Sequence, residues 1–181
     1  MNNFNRWLYV PALVIPAMAS ATAFAVQYMD IAQAQKAMFP VADKFTAMPI
    51  LLTAQLAKQI TSISGVSVRV NDIKAWQVSQ EGKTLGWFML DEVYGKHEYI
   101  TYALAIGPNG TVTGLEILDY RETHGGEVKN PKWRAQFIGK KSGDTLKLDE
   151  DIQNISGATL SCKHLTDGVK RLLATYAMVL K

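Results

Sequence analysis

The chain has 181 residues, 48% of them hydrophobic, which is enough for one domain with a buried core and too little for two large ones. Its 19 Lys and Arg against 16 Asp and Glu leave a net charge of +3, spread along the chain without a basic block, so the composition gives no support to nucleic-acid binding. The single cysteine, Cys162, excludes an internal disulfide framework, a Cys-x-x-Cys-His haem attachment and any multi-cysteine zinc or iron–sulfur centre.

Residues 7–25, WLYVPALVIPAMASATAFA, carry no charge and follow Arg6. Their length is at the lower end for a bilayer span, and Ala23-Phe24-Ala25 fits a small-x-small cleavage site, so residues 1–26 read as a cleaved signal peptide or a single transmembrane anchor. With either reading the rest of the chain is placed at the periplasmic or other extracytoplasmic face of the membrane.

Residues 27–74 are expected to be helical, with Met38, Phe39, Phe45, Leu51, Leu52, Leu56, Ile60 and Ile63 at approximate helical spacing and Pro40 and Pro49 dividing the run. The period then changes. Segments 75–78, 84–90, 99–106 and 111–118 are rich in β-branched and aromatic residues and are separated by turn signals. Gly107-Pro108-Asn109-Gly110 is the clearest of these signals and predicts a hairpin within an antiparallel meander. Residues 120–150 are loop-rich. A closing helix is predicted from about Leu160, with Leu165, Val169, Leu172, Leu173, Tyr176 and Leu180 on one face and Gly168 marking close packing. The fold class is therefore α+β, an antiparallel sheet with packed helices, and Cys162 reads as a small buried apolar residue on the last helix.

The run Asn154-Ile155-Ser156-Gly157-Ala158-Thr159-Leu160-Ser161-Cys162 lies at the start of that helix. Two readings of its small and hydroxyl residues are open. A helix N-terminus presents unpaired N–H groups to which a phosphate can draw close; equally, Thr159 or Ser161 can serve as an N-cap after a turn at Gly157. The run has neither the spacing nor the Lys of a P-loop, and it is not a dinucleotide fingerprint.

Ser156-Gly157-Ala158-Thr159 before a helix resembles the flavinylation motif of the FMN-binding domain family, which includes the covalently flavinylated subunits of the sodium-translocating NADH:quinone reductase and of Rnf-type complexes. Glu122-Thr123-His124-Gly125-Gly126-Glu127-Val128, followed by Asn130-Pro131-Lys132-Trp133, is similar to a second stretch typical of that family. The two motifs stand in the family's order and place an FMN-binding domain at residues 75–181. The resemblance implies FMN joined to Thr159 through a threonyl phosphodiester by an exported flavin transferase. It further implies cofactor contacts from Ser156, Gly157, Ala158, Leu160 and Ser161, and from Glu122, Thr123, His124, Gly125 and Trp133. His124 would lie beside the ring and donate a hydrogen bond or a proton to it. The chain departs from the family pattern at Gln153, where an Asp is usual, with Asp151 two residues earlier, and at His124, which replaces a Pro-Gly-Leu portion and shortens the loop.

On this reading the protein is an electron carrier rather than a stand-alone enzyme. It passes electrons between a membrane electron-transport complex or cytochrome and another carrier. The alternative is a flavin-dependent sensory or scaffolding module of a membrane complex. No metal site is expected, since no two of His97, His124 and His164 have metal-ligand spacing, and the scattered charge gives no reason to expect a nucleic-acid partner.

Overall fold

The computed structural model describes residues 28–181; the expected signal peptide or anchor lies outside them. Among the described residues no helix is long and apolar enough to cross a membrane. The elements run α1 (Ile31–Met38), β1 (Lys44–Ala47), β2 (Ile50–Leu51), α2 (Ala54–Ser64), β3 (Asp72–Gln80), β4 (Lys83–Tyr94), β5 (Tyr99–Ile106), β6 (Val112–Tyr120), α3 (Pro131–Arg134) and α4 (Thr159–Val179).

The meander from β3 to β6 is antiparallel throughout, β1 extends it beyond β3, and β2 pairs with β3 as well. The β5–β6 connection is the predicted hairpin: Gly110 takes φ 82°, which its missing Cβ allows, and Gly107 N–H donates to the Thr111 carbonyl at 2.9 Å. A second tight turn at Glu81-Gly82, both at positive φ, joins β3 to β4.

The expectation of a helical region over residues 27–74, divided at Pro40 and Pro49, is corrected in its middle. Residues 44–47 and 50–51 are strands, because Pro40 and Pro49 interrupt any helix and Phe45 is placed against Phe39, ring centroids 6.3 Å apart, by strand geometry rather than by a helical turn. These strands belong to the same sheet as β3, and the expected boundary at 74/75 falls inside β3 itself.

Alternation along the strands supplies two apolar faces. Met89, Ile100, Tyr102, Leu104 and Ile106 join Leu165, Val169, Leu172 and Leu173 of α4 and Ile60 of α2 in the main core. Phe88, Val78, Ala103 and Ala105 form a smaller cluster under Ala34 of α1 on the other face. Gly168 is the close-packing point predicted for α4: a Cβ there would collide with the Tyr102 hydroxyl and lie 2.9 Å from Val93 Cγ1. The loop-rich segment after β6 is an ordered strap, with Val128, Trp133, Phe137, Leu146 and Ile152 buried in the main core. This strap and the sheet end together set the start of α4 beside the ends of β4 and β6.

Candidate cofactor site

Thr159 is the first residue of α4, and Ala158 occupies the N-cap position with no side-chain hydrogen bond. The helix-cap reading of Thr159 or Ser161 is therefore corrected: both lie inside the first turn, and no side chain caps it. Gly157 reaches the required turn at φ 84°. Thr159 is exposed and Leu160 is 44% exposed, whereas Ser161 and Cys162 are buried. An exposed hydroxyl thus stands at the partial positive end of a 21-residue helix whose first amides lack a side-chain acceptor.

Opposite this turn is the segment leaving β6. The Glu122 carboxylate accepts the backbone N–H groups of Lys96, of His97 at 2.6 Å and of Glu98 at 3.1 Å, so it ties the β4–β5 turn to the end of β6. Burial by itself would raise its pKa, but the three amides outweigh burial and hold it below the usual carboxylate range. Gly95 is confined by this clamp, since a Cβ on it would run into the Glu122 carboxylate. The Thr123 hydroxyl is 2.9 Å from His124 Nδ1, which leaves Nε2 as the ring's other polar atom.

A cavity of about 590 Å³ lies between these elements, lined by Lys96, His97, Glu122, Thr123 and His124 on one side and Gly157, Ala158, Thr159, Leu160 and Ser161 on the other. A second cavity of about 500 Å³ adjoins it, sharing Thr123, His124 and Gly157 and adding Gly125, Gly126, Glu127, Lys129 and Ser156. The two motifs read from the sequence, whose first residues Glu122 and Ser156 are 34 positions apart, therefore meet, and every residue they assigned except Trp133 lines one cavity or both. Trp133 is 5% exposed, packs on Phe137 and donates its indole N–H to the Gln153 carbonyl at 2.7 Å. It steadies the strand of chain leading to the motif from beneath and does not line either cavity. Trp87 packs on Tyr176, ring centroids 5.1 Å apart.

Lys96, His97, Lys129 and Tyr120 reach the site without having been assigned to it by the sequence. The first two stand in Gly95-Lys96-His97-Glu98, legible only as a turn, and nothing in their spacing says that Glu122 draws that turn beside α4. Burial pushes the Cys162 thiol pKa up, so the residue next to the first turn is an uncharged packing group rather than a nucleophile. No cluster of His, Cys, Asp and Glu suited to a metal occurs among the described residues.

The chain's own groups fit a flavin phosphate ester. Thr159 would offer the ester oxygen, the uncapped first turn would offer amides to the phosphoryl oxygens, Lys96 would add positive charge, and the adjoining cavities have the volume of a cofactor cleft.

Part of the chain is similar to known proteins. Residues 95–174 match the model of the FMN-binding domain. One component of the Na(+)-translocating NADH-quinone reductase of Pasteurella multocida is 31% identical over 126 residues, 60% of this chain and 48% of that protein. One component of the proton-translocating ferredoxin:NAD(+) oxidoreductase complex of Clostridium ljungdahlii is 33% identical over 111 residues, 56% of this chain and 60% of that protein. The chain thus spans about half to three fifths of the length of these relatives. The crystal structure of a Na(+)-translocating NADH-quinone reductase component from Parabacteroides distasonis shares the fold, with a TM-score of 0.51 at 14% identity over 82% of this chain and 83% of that one.

Proposed function

We propose, from the premise that residues 95–174 are an FMN-binding domain, that this chain is an electron-relay flavoprotein carrying FMN on Thr159 through a phosphodiester. The observation that carries the reading is the exposed Thr159 hydroxyl on an uncapped first turn, facing a cavity whose other wall is the second motif. Both relatives named above are components of larger redox assemblies, which supports an electron-carrier role over that of a stand-alone enzyme. When bound, the flavin supplies the electron-accepting and electron-donating chemistry.

The residues of the chain do the rest. Thr159 anchors, and the amides of the α4 first turn stabilise the charge that remains on the diester. Gly157 leaves the backbone open to an incoming transferase. Glu122 fixes the β4–β5 turn as one wall, and His124 offers a proton or hydrogen bond within the shared cavity. Membrane association, a place at the extracytoplasmic face, an exported flavin transferase and a membrane complex or cytochrome as redox partner complete the proposal. Covalent attachment suits that place, where a dissociated FMN would be lost.

The test is in-gel flavin fluorescence with intact mass on protein produced beside an exported flavin transferase. Wild type is expected to hold flavin through denaturation, and Thr159→Val to fold and hold none. Covalent flavin retained in that variant would sink the assignment.

A further inference from the structure

The two halves of the site are joined at one buried side chain that neither motif contains. Tyr120, the last residue of β6, is 4% exposed, and its hydroxyl donates to the His124 carbonyl at 2.6 Å. The same hydroxyl lies 3.4 Å from the Ser161 Oγ on the first turn of α4, where Ser161 is also 4% exposed. Between them passes Gly125 at φ 79°, with room for no side chain: a Cβ there would stand 2.9 Å from the Tyr120 hydroxyl and 3.1 Å from Ala158 Cβ. Lys129 Nζ stands 5.4 Å from the centre of the Tyr120 ring and covers it from the neighbouring 3₁₀ turn. The His124 carbonyl and the α4 first turn thus share one hydroxyl, and Gly125 passes beside it with no room for a Cβ.

We infer that Tyr120 is a positioning residue that locks the His124–Gly125 loop to the first turn of the helix carrying Thr159, and so sets where His124 stands relative to a cofactor on Thr159. The functional half of this rests on the flavin reading given above; the mechanical half does not. The loop has few other ties. The His124 side chain itself bonds to its own neighbour Thr123, which moves with it. Burial raises the Tyr120 pKa against the opposing hydrogen bond from Ser161, so the hydroxyl keeps its proton and remains a donor at neutral pH.

Tyr120→Phe keeps the buried ring and removes only the hydroxyl. Amide hydrogen exchange on flavin-free protein reads the lock directly. Exchange is expected to quicken about tenfold at residues 124–126 and 158–162 and to stay unchanged in β4 and β5, which is the opening expected from one lost buried hydrogen bond. On flavin-loaded protein, Tyr120→Phe is expected to move the flavin midpoint potential in the same direction as His124→Ala, with no further shift in the double variant. Unchanged exchange in both segments overturns the inference whatever the flavin content. Faster exchange with an unchanged potential overturns its functional half. Faster exchange together with a colourless wild type upholds the lock and fails the flavin reading instead.

Discussion

The Glu122 carboxylate accepts the His97 backbone N–H at 2.6 Å across twenty-five residues of sequence, and that contact makes the β4–β5 turn a wall of the candidate cofactor site. Without it, Gly95-Lys96-His97-Glu98 would be an exposed hairpin end. Glu122→Ala removes the acceptor for three amides and is expected to cost about 1–3 kcal/mol, read as a lower denaturation midpoint. The pH dependence follows from the sign of the shift. The folded pKa of Glu122 is depressed, so its stabilisation is fully present above the unfolded value of about 4.3 and is lost as pH falls through the lower folded value. Carboxyl titration by NMR, with melting curves across that acid range, checks this. A Glu122 that titrates at or above its unfolded value would remove the clamp from the account.

Gly125→Ala tests the contact between the two motifs. A residue with a Cβ pays for φ 79°, and the added carbon meets both Tyr120 and Ala158 at distances tighter than ordinary packing allows. Left-handed strain and overpacking together are expected to cost about 2–4 kcal/mol. Chemical denaturation measures it, and a loss below about 0.5 kcal/mol, the range of an indifferent surface change, would contradict the packing described.

Much of this fold was legible because its signals are local. The apolar face of α4 was readable from Leu165, Val169, Leu172, Leu173 and Tyr176, all buried, and the β5–β6 hairpin from Asn109-Gly110. Residues 44–51 misled because Phe45 and Leu51 happened to continue a helical spacing, while what decides their state is pairing with β3, a partner more than twenty residues away. The candidate site divides the same way. Thr159, His124 and their neighbours came from motif resemblance, but Tyr120 and Lys96 are ordinary strand and turn residues in sequence. Their importance lies in tertiary contacts that no local period encodes. Trp133 shows the reverse: the resemblance implied a cofactor contact, and the residue is buried against Phe137 and lines neither cavity.

Gly168→Ala opposes two known effects of definite sign. Replacing glycine inside a helix gains about 1 kcal/mol of propensity. The new Cβ would collide with the Tyr102 hydroxyl, which cannot easily withdraw because it donates to Asp91 Oδ2 at 2.7 Å while Arg171 pairs with the same carboxylate. Overpacking of this kind costs about 1–3 kcal/mol and a disturbed buried ion pair adds to it, so the variant is expected to be less stable than wild type. A melting temperature equal to or above that of wild type would show that the helix can shift away from β5.

Gln153 is the residue whose replacement should improve the protein's proposed modification. Its backbone is held on both sides, N–H to Gln136 Oε1 and carbonyl to Trp133 Nε1, each at 2.7 Å, while the residue is exposed beside the motif. Asp151 does not replace the acid that the resemblance places at 153. Its carboxylate accepts from Lys140 Nζ at 2.8 Å and from the amides of Leu146 at 3.0 Å and Lys147 at 2.7 Å. Burial works against the charged form, yet those partners hold its pKa down, which marks it as a loop clasp. Gln153→Asp should therefore leave stability within about 0.5 kcal/mol, as for other exposed substitutions, while raising the fraction of chains bearing flavin when transferase is limiting. Intact mass at several transferase levels gives that fraction. If Gln153→Asp and wild type load equally at every level, an acid at this position plays no part in recognition.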